Sequence, residues 1–559
     1  MADIGMVVGS GEGGGSGGAV TAGVTAGGAA GGAAGGAAGV TAGGAAGVTA
    51  GGAAGVTAGG GAGVGVAAGG GTGVAVESGV AARPGVGVGP YAELTFDADG
   101  DVERSTREAV ARIEATDLLV FAHGWNSDRS TSTRLYDRFF APFPNLVGSG
   151  VRLGYVGVVW PSIRFSDEPI PDFDPPGALA EPGLGTALDP ATRRALGEFW
   201  PDRDAELDRI AELLEERPDS AAAFVEFGAL VRELVGVDAV ATPAALDVPA
   251  MFARDVLEVC RAFTDALAEA DATPRRDADG VEAGVGAGGG AERVVGGANP
   301  ILGGGLRALW SGAKEVLRQA TYYQMKKRAG VVGEHGLGPV LAELAHRRPA
   351  LRIHLIGHSF GARVAAFSLR AVPDGSRYVK SLTLLQGAFS HYAFTDRLPH
   401  DGDRGGALRG LQRRVDGPVV ACHSPYDTSL RLFYPLASRM AGDSAGLLGF
   451  DERWGAIGHD GVRAVPDTPR LSLDTVLRGG LPGAGCVSVD AGSVVRRGGA
   501  PSGAHSDICH EELARVVVAA GRMGRRVPAM CHPHASTAPA CAHIPPGMLG
   551  TSGRTTTFD

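Results

Sequence analysis

Arg-Ile-His-Leu-Ile-Gly-His-Ser-Phe-Gly, residues 352–361, decides how the rest of the chain is interpreted. Its first five residues are mostly apolar, which is typical of a strand buried on both faces of a parallel sheet. The last five match Gly-x-Ser-x-Gly, a pattern that predicts a sharp strand-to-helix turn with Ser359 raised above the sheet. Gly357 and Gly361 leave room for neighbouring backbone at that turn. An ordinary glycine-rich turn is the alternative, and the apolar strand before the pattern favours the first interpretation.

Composition separates the N-terminal part of the chain from the rest. Residues 9–89 consist largely of Gly, Ala, Val and Thr, and Gly-Val-Thr-Ala-Gly-Gly recurs within them. Without large apolar side chains, such a segment buries too little surface to offset the entropy lost on ordering glycine. We therefore predict a disordered Gly/Ala-rich tail over residues 1–89, with a self-associating repeat structure as the alternative.

The charge and hydropathy of the chain exclude several classes of function. The 559 residues carry a formal net charge of -10, which provides no basic field for nucleic acid. No window of about 20 residues is both apolar and rich in large side chains, so no integral membrane segment is predicted. The six scattered cysteines and the lack of a signal-peptide pattern predict a cytoplasmic protein. The basic cluster Lys326-Lys327-Arg328, beside Tyr322 and Tyr323, is interpreted as a solvated helix face.

Short apolar runs beyond the tail predict a mostly parallel α/β sheet. Strands are expected at residues 91–96 (a half-buried edge strand), 117–122, 156–160, 352–356, 379–386, 417–422 and 485–490. Residues 161–333 combine Pro-rich loop and glycine-rich linker with helical spacing at 205–216 and 256–270, which predicts a helical cap inserted before the strand that carries Ser359. A closing helix is expected at 511–520, the folded domain at 90–520 and a disordered tail at 521–559.

A serine hydroxyl becomes a good nucleophile when a histidine removes its proton and a carboxylate orients that histidine. Asp427 follows the strand at 417–422, and His505 follows the last strand, which gives the order Ser, Asp, His along the chain. Two alternatives stay open. Asp427 could instead cap a helix over 428–437, and His510 lies in the same loop as His505.

Stabilising a developing oxyanion requires N–H groups that already point at it. Phe360, directly after Ser359, is predicted to provide one backbone N–H. The turn His-Gly-Trp-Asn, residues 123–126, is predicted to provide the other through Trp125, with Gly124 or Asn126 left open. No nucleotide cofactor is predicted, because the glycines of residues 284–305 form neither a phosphate-binding loop nor a dinucleotide-binding pattern. No metal site is predicted, because the candidate zinc ligands of the C-terminal tail lack a regular spacing: Cys531, His532, His534, Cys541 and His543.

These motifs resemble those of the α/β-hydrolase superfamily, in particular its bacterial esterase- and lipase-like members, over about residues 91–520. The resemblance rests on residues 121–126, residues 357–361, Asp427 and His505 in the expected order. It implies a serine hydrolase that uses no metal or organic cofactor and cleaves an ester or related acyl bond of a small-molecule or lipid-like substrate. The insertion before the strand of Ser359 departs from the usual lid position of the family. An acyltransferase using the same residues, or a non-catalytic binding or scaffold protein with this fold, remains an alternative.

Overall fold

The computed structural model describes residues 85–165, 187–236, 250–272, 305–441 and 452–524, all within the unit Val80–Asp559. The predicted N-terminal tail lies outside the described residues as far as residue 84, and the predicted C-terminal tail lies outside them from residue 525 onward. At both ends the described chain reaches beyond the domain predicted at 90–520, where Val86 and Met523 are buried against the core.

The centre of the fold is a sheet of eight strands. They are β1 (Tyr91–Thr95), β2 (Asp117–Ala122), β3 (Leu153–Val159), β4 (Arg352–His358), β5 (Val379–Leu385), β6 (Pro418–His423), β7 (Arg470–Ser472) and β8 (Gly485–Asp490). Their spatial order is β1-β3-β2-β4-β5-β6-β8-β7, and every pairing between these described strands is parallel. The predicted parallel α/β sheet is confirmed. The sequence analysis missed β7, which at three residues is too short to show a periodic pattern.

Helices cover both faces of the sheet. Those of the described residues are α1 (Arg104–Ala111), α2 (Arg129–Phe140), α3 (Phe143–Leu146), α4 (Pro190–Phe199), α5 (Asp204–Glu216), α6 (Ala221–Val235), α7 (Val256–Ala272), α8 (Trp310–Val331), α9 (Gly338–Arg347), α10 (Phe360–Phe367), α11 (Tyr434–Ala441), α12 (Ile457–Asp460), α13 (Leu473–Gly479) and α14 (Glu511–Ala520). None of them combines the length and apolar character needed to cross a bilayer.

The two faces of the sheet belong to separate hydrophobic cores. In β2, Leu118 and Val120 enter one core with the insertion helices, whereas Leu119 and Phe121 enter the other with α2 and α14. All six residues of β2 are buried. This two-sided burial explains why the strand is a continuous apolar run rather than an alternating one.

The first strand lies at the edge of the sheet, as predicted, but it is not half-buried. Its residues from Tyr91 to Leu94 are all buried, because α2 covers the face that we expected to be solvated. Glu93 is accommodated there by an ion pair with Arg129, at the start of α2. The alternating pattern therefore marks a buried carboxylate paired with a half-exposed arginine instead of a solvent-exposed face.

The segment before β4 is helical, as the sequence analysis expected. Phe224 of α6 stacks on Trp310 of α8 with ring centroids 4.2 Å apart. A Cβ atom at Gly312 would lie 1.9 Å from the Cys260 carbonyl oxygen, so glycine allows α8 to contact the backbone of α7. A π-helical turn, Val332–Leu337, then joins α8 to α9, which leads into β4. The insertion is thereby connected by continuous helical structure, residues 310–347, to the loop before β4.

Candidate active site

Ser359 stands where β4 ends and α10 begins. Its φ angle is 55°, a left-handed conformation that residues other than glycine rarely adopt. A Cβ atom at Gly361 would lie 2.0 Å from the Ala122 carbonyl oxygen, and one at Gly357 would lie 2.3 Å from the Gly361 carbonyl oxygen. Glycine at both positions therefore permits the close backbone contacts that hold this strained turn.

The three residues predicted to act together meet at this turn. His505 Nε2 lies 2.8 Å from Ser359 Oγ, and His505 Nδ1 lies 2.8 Å from Asp427 Oδ2. The Asp427 side chain is fully buried, whereas 12% of the His505 side chain is exposed. Such an arrangement can pass the serine proton to Nε2 while the carboxylate holds the imidazole from the other side. The catalytic roles of the three residues stay predictions.

Asp427 has a second partner on its other oxygen. Its Oδ1 accepts the backbone N–H of Leu430 at 2.9 Å. This contact fixes the start of the π-helical turn Ser429–Phe433, which continues into α11. The sequence left open whether Asp427 caps a helix or contacts a histidine. In the structure Oδ1 contacts the start of the helical segment and Oδ2 contacts the histidine.

Asp507 organises the loop that carries His505. This fully buried carboxylate accepts the backbone N–H of Arg497 at 2.9 Å and pairs with its guanidinium at 2.7 Å. His510 Nε2 lies 2.9 Å from the same carboxylate. His510, the alternative base, is thus engaged by Asp507, while His505 is the histidine in contact with Ser359.

His358, the residue before the nucleophile, holds His505 from the sheet side. Its Nε2 lies 2.8 Å from the His505 carbonyl oxygen, to which it donates. Burial, with a smaller contribution from the neighbouring His505, lowers the pKa of His358 to about 3. His358 is therefore neutral near pH 7, with its proton on the nitrogen that donates. The sequence analysis assigned it no role, because the pattern Gly-x-Ser-x-Gly leaves that position open.

The predicted oxyanion turn at residues 123–126 lies directly against Ser359. A Cβ atom at Gly124 would lie 2.9 Å from Ser359 Cβ. The turn is held in place by the indole of Trp160, which donates to the His123 carbonyl at 3.0 Å, and by the hydroxyl of Tyr136, which accepts the His123 N–H at 3.2 Å. These contacts fix the turn independently of any substrate, as preorganised stabilisation of an oxyanion requires.

The two predicted donors, Phe360 and Trp125, flank Ser359. The Phe360 N–H is the first of α10 and has no acceptor within that helix. Trp125 belongs to the oxyanion turn, and its ring centroid lies 6.3 Å from that of Phe360. Both residues line the cavity that contains Ser359. Their donation to an oxyanion stays a prediction.

This cavity has a volume of about 80 Å³ and is closed on one side by α8 of the insertion. The sequence analysis did not identify the residues of α8 as part of a site, because their contacts depend on how the insertion packs. The basic cluster at residues 326–328, interpreted as a solvated helix face, is only partly exposed, because Lys326 and Arg328 are half-buried. Tyr322 lines the cavity, and Lys326 lies 5.2 Å from the centre of the Tyr434 ring. Lys327 is exposed, as expected.

Comparisons of the chain with protein-family models, with curated proteins and with solved structures found no match. A functional assignment therefore depends on the geometry of the site itself. Within the described ranges, no group of three or more His, Cys, Asp or Glu side chains is placed to hold a metal ion. The Cys and His residues weighed as zinc ligands, from Cys531 to His543, lie outside those ranges.

Proposed function

We propose that the protein is a serine hydrolase of the α/β-hydrolase superfamily, which cleaves an ester or related acyl bond through an acyl-enzyme on Ser359. The observation that carries this proposal is the pair of 2.8 Å contacts that joins Ser359 to His505 and His505 to Asp427. The strained turn after β4 and the chain order Ser, Asp, His add support, since both are features of that superfamily.

In the proposed reaction, His505 Nε2 accepts the Ser359 proton while Oγ attacks the acyl carbon. The N–H groups of Phe360 and Trp125 bind the resulting oxyanion, and Asp427 stabilises the imidazolium. Collapse of this intermediate breaks the bond to the leaving group, which takes the proton from His505. A water molecule then attacks the acyl-enzyme and gives its proton to His505, which returns it to Ser359 as the acid departs.

The proposed substrate is a small-molecule or lipid-like acyl compound in the cytoplasm, and nucleic acid is not part of the proposal given the net charge of -10. The position of α8 over Ser359 supports a short group on the acyl side. Transfer of the acyl group to an alcohol would use the same residues, with the alcohol in place of the deacylating water.

The proposal is tested by labelling the full chain with a fluorophosphonate probe and by measuring the hydrolysis of p-nitrophenyl esters of increasing acyl length. We expect covalent labelling at Ser359 and turnover that falls as the acyl chain outgrows the cavity. Measurements in the presence of an added alcohol separate hydrolysis from acyl transfer. Absence of labelling in the folded protein, or labelling at another residue, would exclude Ser359 as the nucleophile.

A further inference from the structure

Three side chains that line the cavity beside Ser359 carry a buried polar atom without a hydrogen-bond partner among the described residues. These atoms are Trp125 Nε1, Gln319 Oε1 and the Tyr322 hydroxyl. Buried polar groups are nearly always paired, since an unpaired one loses its contacts with water and gains nothing in return. Three such groups at one cavity are therefore available to pair with a bound ligand.

The orientation of Gln319 is set by its neighbour on α8. Gln319 Nε2 donates to Glu315 Oε1 at 2.7 Å, one helical turn away. A carboxylate accepts only hydrogen-bond donors, so the amide nitrogen must face it. The carbonyl oxygen of Gln319 is thereby left as a fixed acceptor in the cavity wall.

The charges in this part of the wall balance each other. Arg318 Nε lies 3.5 Å from Glu315 Oε2, and both side chains are more than 90% buried. The Arg318 guanidinium also lies 4.8 Å from the centre of the Phe165 ring. Because one cation and one anion are paired there, the cavity favours a neutral ligand group over a charged one.

Two of the three side chains lie close to the residues around the nucleophile. Trp125 belongs to the oxyanion turn, and the Tyr322 ring lies 5.5 Å from that of Trp125 and 4.8 Å from that of Phe360. The cavity of about 80 Å³ holds only a few water-sized groups. A group that pairs with these atoms would therefore be carried on a short chain, close to the carbon that Ser359 attacks.

We propose that Trp125, Gln319 and Tyr322 form a specificity-determining subsite for a hydroxyl group on a short acyl chain. A hydroxyl has one donor and two acceptor positions. The subsite offers the complement, namely one acceptor at Gln319 and two donors at Trp125 and Tyr322. This inference rests on the proposed function and names its substrate class as short hydroxyacyl esters.

The experiment compares p-nitrophenyl butyrate with the two enantiomers of p-nitrophenyl 3-hydroxybutyrate, which differ from it by one hydroxyl. We expect the kcat/KM of the wild-type chain to be about 10- to 100-fold higher for one enantiomer than for butyrate, as expected for one or two added hydrogen bonds. In Tyr322→Phe and Gln319→Met, this ratio should fall toward one. Tyr323→Phe is the matched control, since Tyr323 is on the same helix and does not line the cavity, and it should keep the wild-type ratio.

Fluorophosphonate labelling of each variant shows that its site is folded and its nucleophile active. Labelling at Ser359 with no preference for a hydroxy ester, or with no turnover of any of these esters, would overturn the subsite and leave the proposed hydrolase intact. A preference that survives both Tyr322→Phe and Gln319→Met would also overturn it. No labelling at all would remove the proposed function, and the subsite with it.

Discussion

Two sets of serine, histidine and aspartate are hydrogen-bonded with similar geometry in the part of the chain that the structure describes. They are the edge triad, Ser359–His505–Asp427, and the sheet triad, Ser381–His354–Asp117. In the edge triad the histidine nitrogens lie 2.8 Å from both partners, and in the sheet triad they lie 3.0 Å from both partners. We propose catalysis for the edge triad alone, because the surroundings of the two sets differ.

The sheet triad crosses three neighbouring strands, β2, β4 and β5, inside the molecule. Its three residues are at most 1% exposed. Arg352 pairs with Asp117 at 3.0 Å, so the buried carboxylate is compensated. A Cβ atom at Gly521 would lie 2.6 Å from the His354 ring, which shows that the chain after α14 closes this position tightly. No substrate can reach the hydroxyl of Ser381.

The edge triad differs from the sheet triad in three physical respects. Ser359 has a strained φ of 55°, whereas Ser381 lies within a regular strand. The N-terminus of α10 and the oxyanion turn adjoin Ser359. The cavity is lined by Ser359 and His505 but by no member of the sheet triad. Matching residue types at hydrogen-bonding distance are therefore not sufficient to identify a candidate active site. A candidate active site also needs access for a substrate and N–H groups placed to bind an oxyanion, which a structural network lacks.

The largest expected difference between the two triads concerns the serines. Ser359→Ala should abolish fluorophosphonate labelling and lower kcat by roughly 10⁶-fold, because the nucleophile is lost. Ser381→Ala should keep labelling and turnover, while it lowers the free energy of unfolding by roughly 1–3 kcal/mol by leaving His354 Nδ1 unpaired. Labelling rates and thermal unfolding of both variants check this. Wild-type labelling of folded Ser359→Ala would place the nucleophile elsewhere.

The next effect concerns the histidine of the edge triad. His505→Ala should lose nearly as much activity as Ser359→Ala, since members of such a unit act together. His510→Ala should retain most of the activity, because His510 contacts Asp507 rather than Ser359. Steady-state kinetics on a p-nitrophenyl ester distinguish the two variants. A reversed result would move the role of base to His510.

Substituting the aspartates of the two triads should have a smaller effect on activity than substituting Ser359 or His505. It should separate an effect on activity from an effect on stability more clearly. Asp427→Asn should lower kcat by about 10⁴-fold, because an amide no longer fixes the required tautomer of His505. Asp117→Asn should leave kcat near wild type and lower the free energy of unfolding, because Arg352 and His354 lose a buried carboxylate. Urea unfolding and kinetics of both variants check the contrast. Equal losses of activity would mean that the sheet triad also supports catalysis.

The sequence predicted most of the sheet because its strands are buried on both faces. The limits of β2, β8 and α14 agree with the expected ranges, since apolar runs and a regular helical pattern mark them. Because these strands are apolar runs, the sequence pattern did not reveal the sheet triad. His354 and Ser381 are polar residues within apolar strands, and only the register of β4 against β5 shows that they are opposite each other.

The candidate site could be predicted only where chain order and local pattern specify it. Ser359, Asp427 and His505 each follow a strand, and strands of a parallel sheet end at one edge, so the sequence predicts that they meet. Gln319 and Tyr322 come from an insertion whose path across the sheet no local pattern encodes. Their contribution depends on how α8 packs, which follows from tertiary contacts such as that between Gly312 and Cys260.

The smallest expected effect is a pH dependence of stability at the sheet triad. Burial lowers the pKa of His354 from its ordinary value of 6.5, although Asp117 opposes this change. Below pH 6.5 the unfolded chain binds a proton at this histidine that the folded chain does not bind, so acid favours unfolding.

The variant His354→Gln tests this effect, because glutamine takes up no proton and can still donate a hydrogen bond to Asp117. Between pH 6.5 and 5.5, the free energy of unfolding should therefore fall less in His354→Gln than in the wild type, by up to about 1 kcal/mol. Urea unfolding at several pH values measures this difference, and fluorophosphonate labelling should be unchanged, as expected for a residue outside the edge triad. Parallel pH profiles for the two proteins would mean that folding leaves the pKa of His354 unchanged. A smaller fall in the wild type than in His354→Gln would mean that His354 is protonated in the folded chain and that the sheet triad is held by charge.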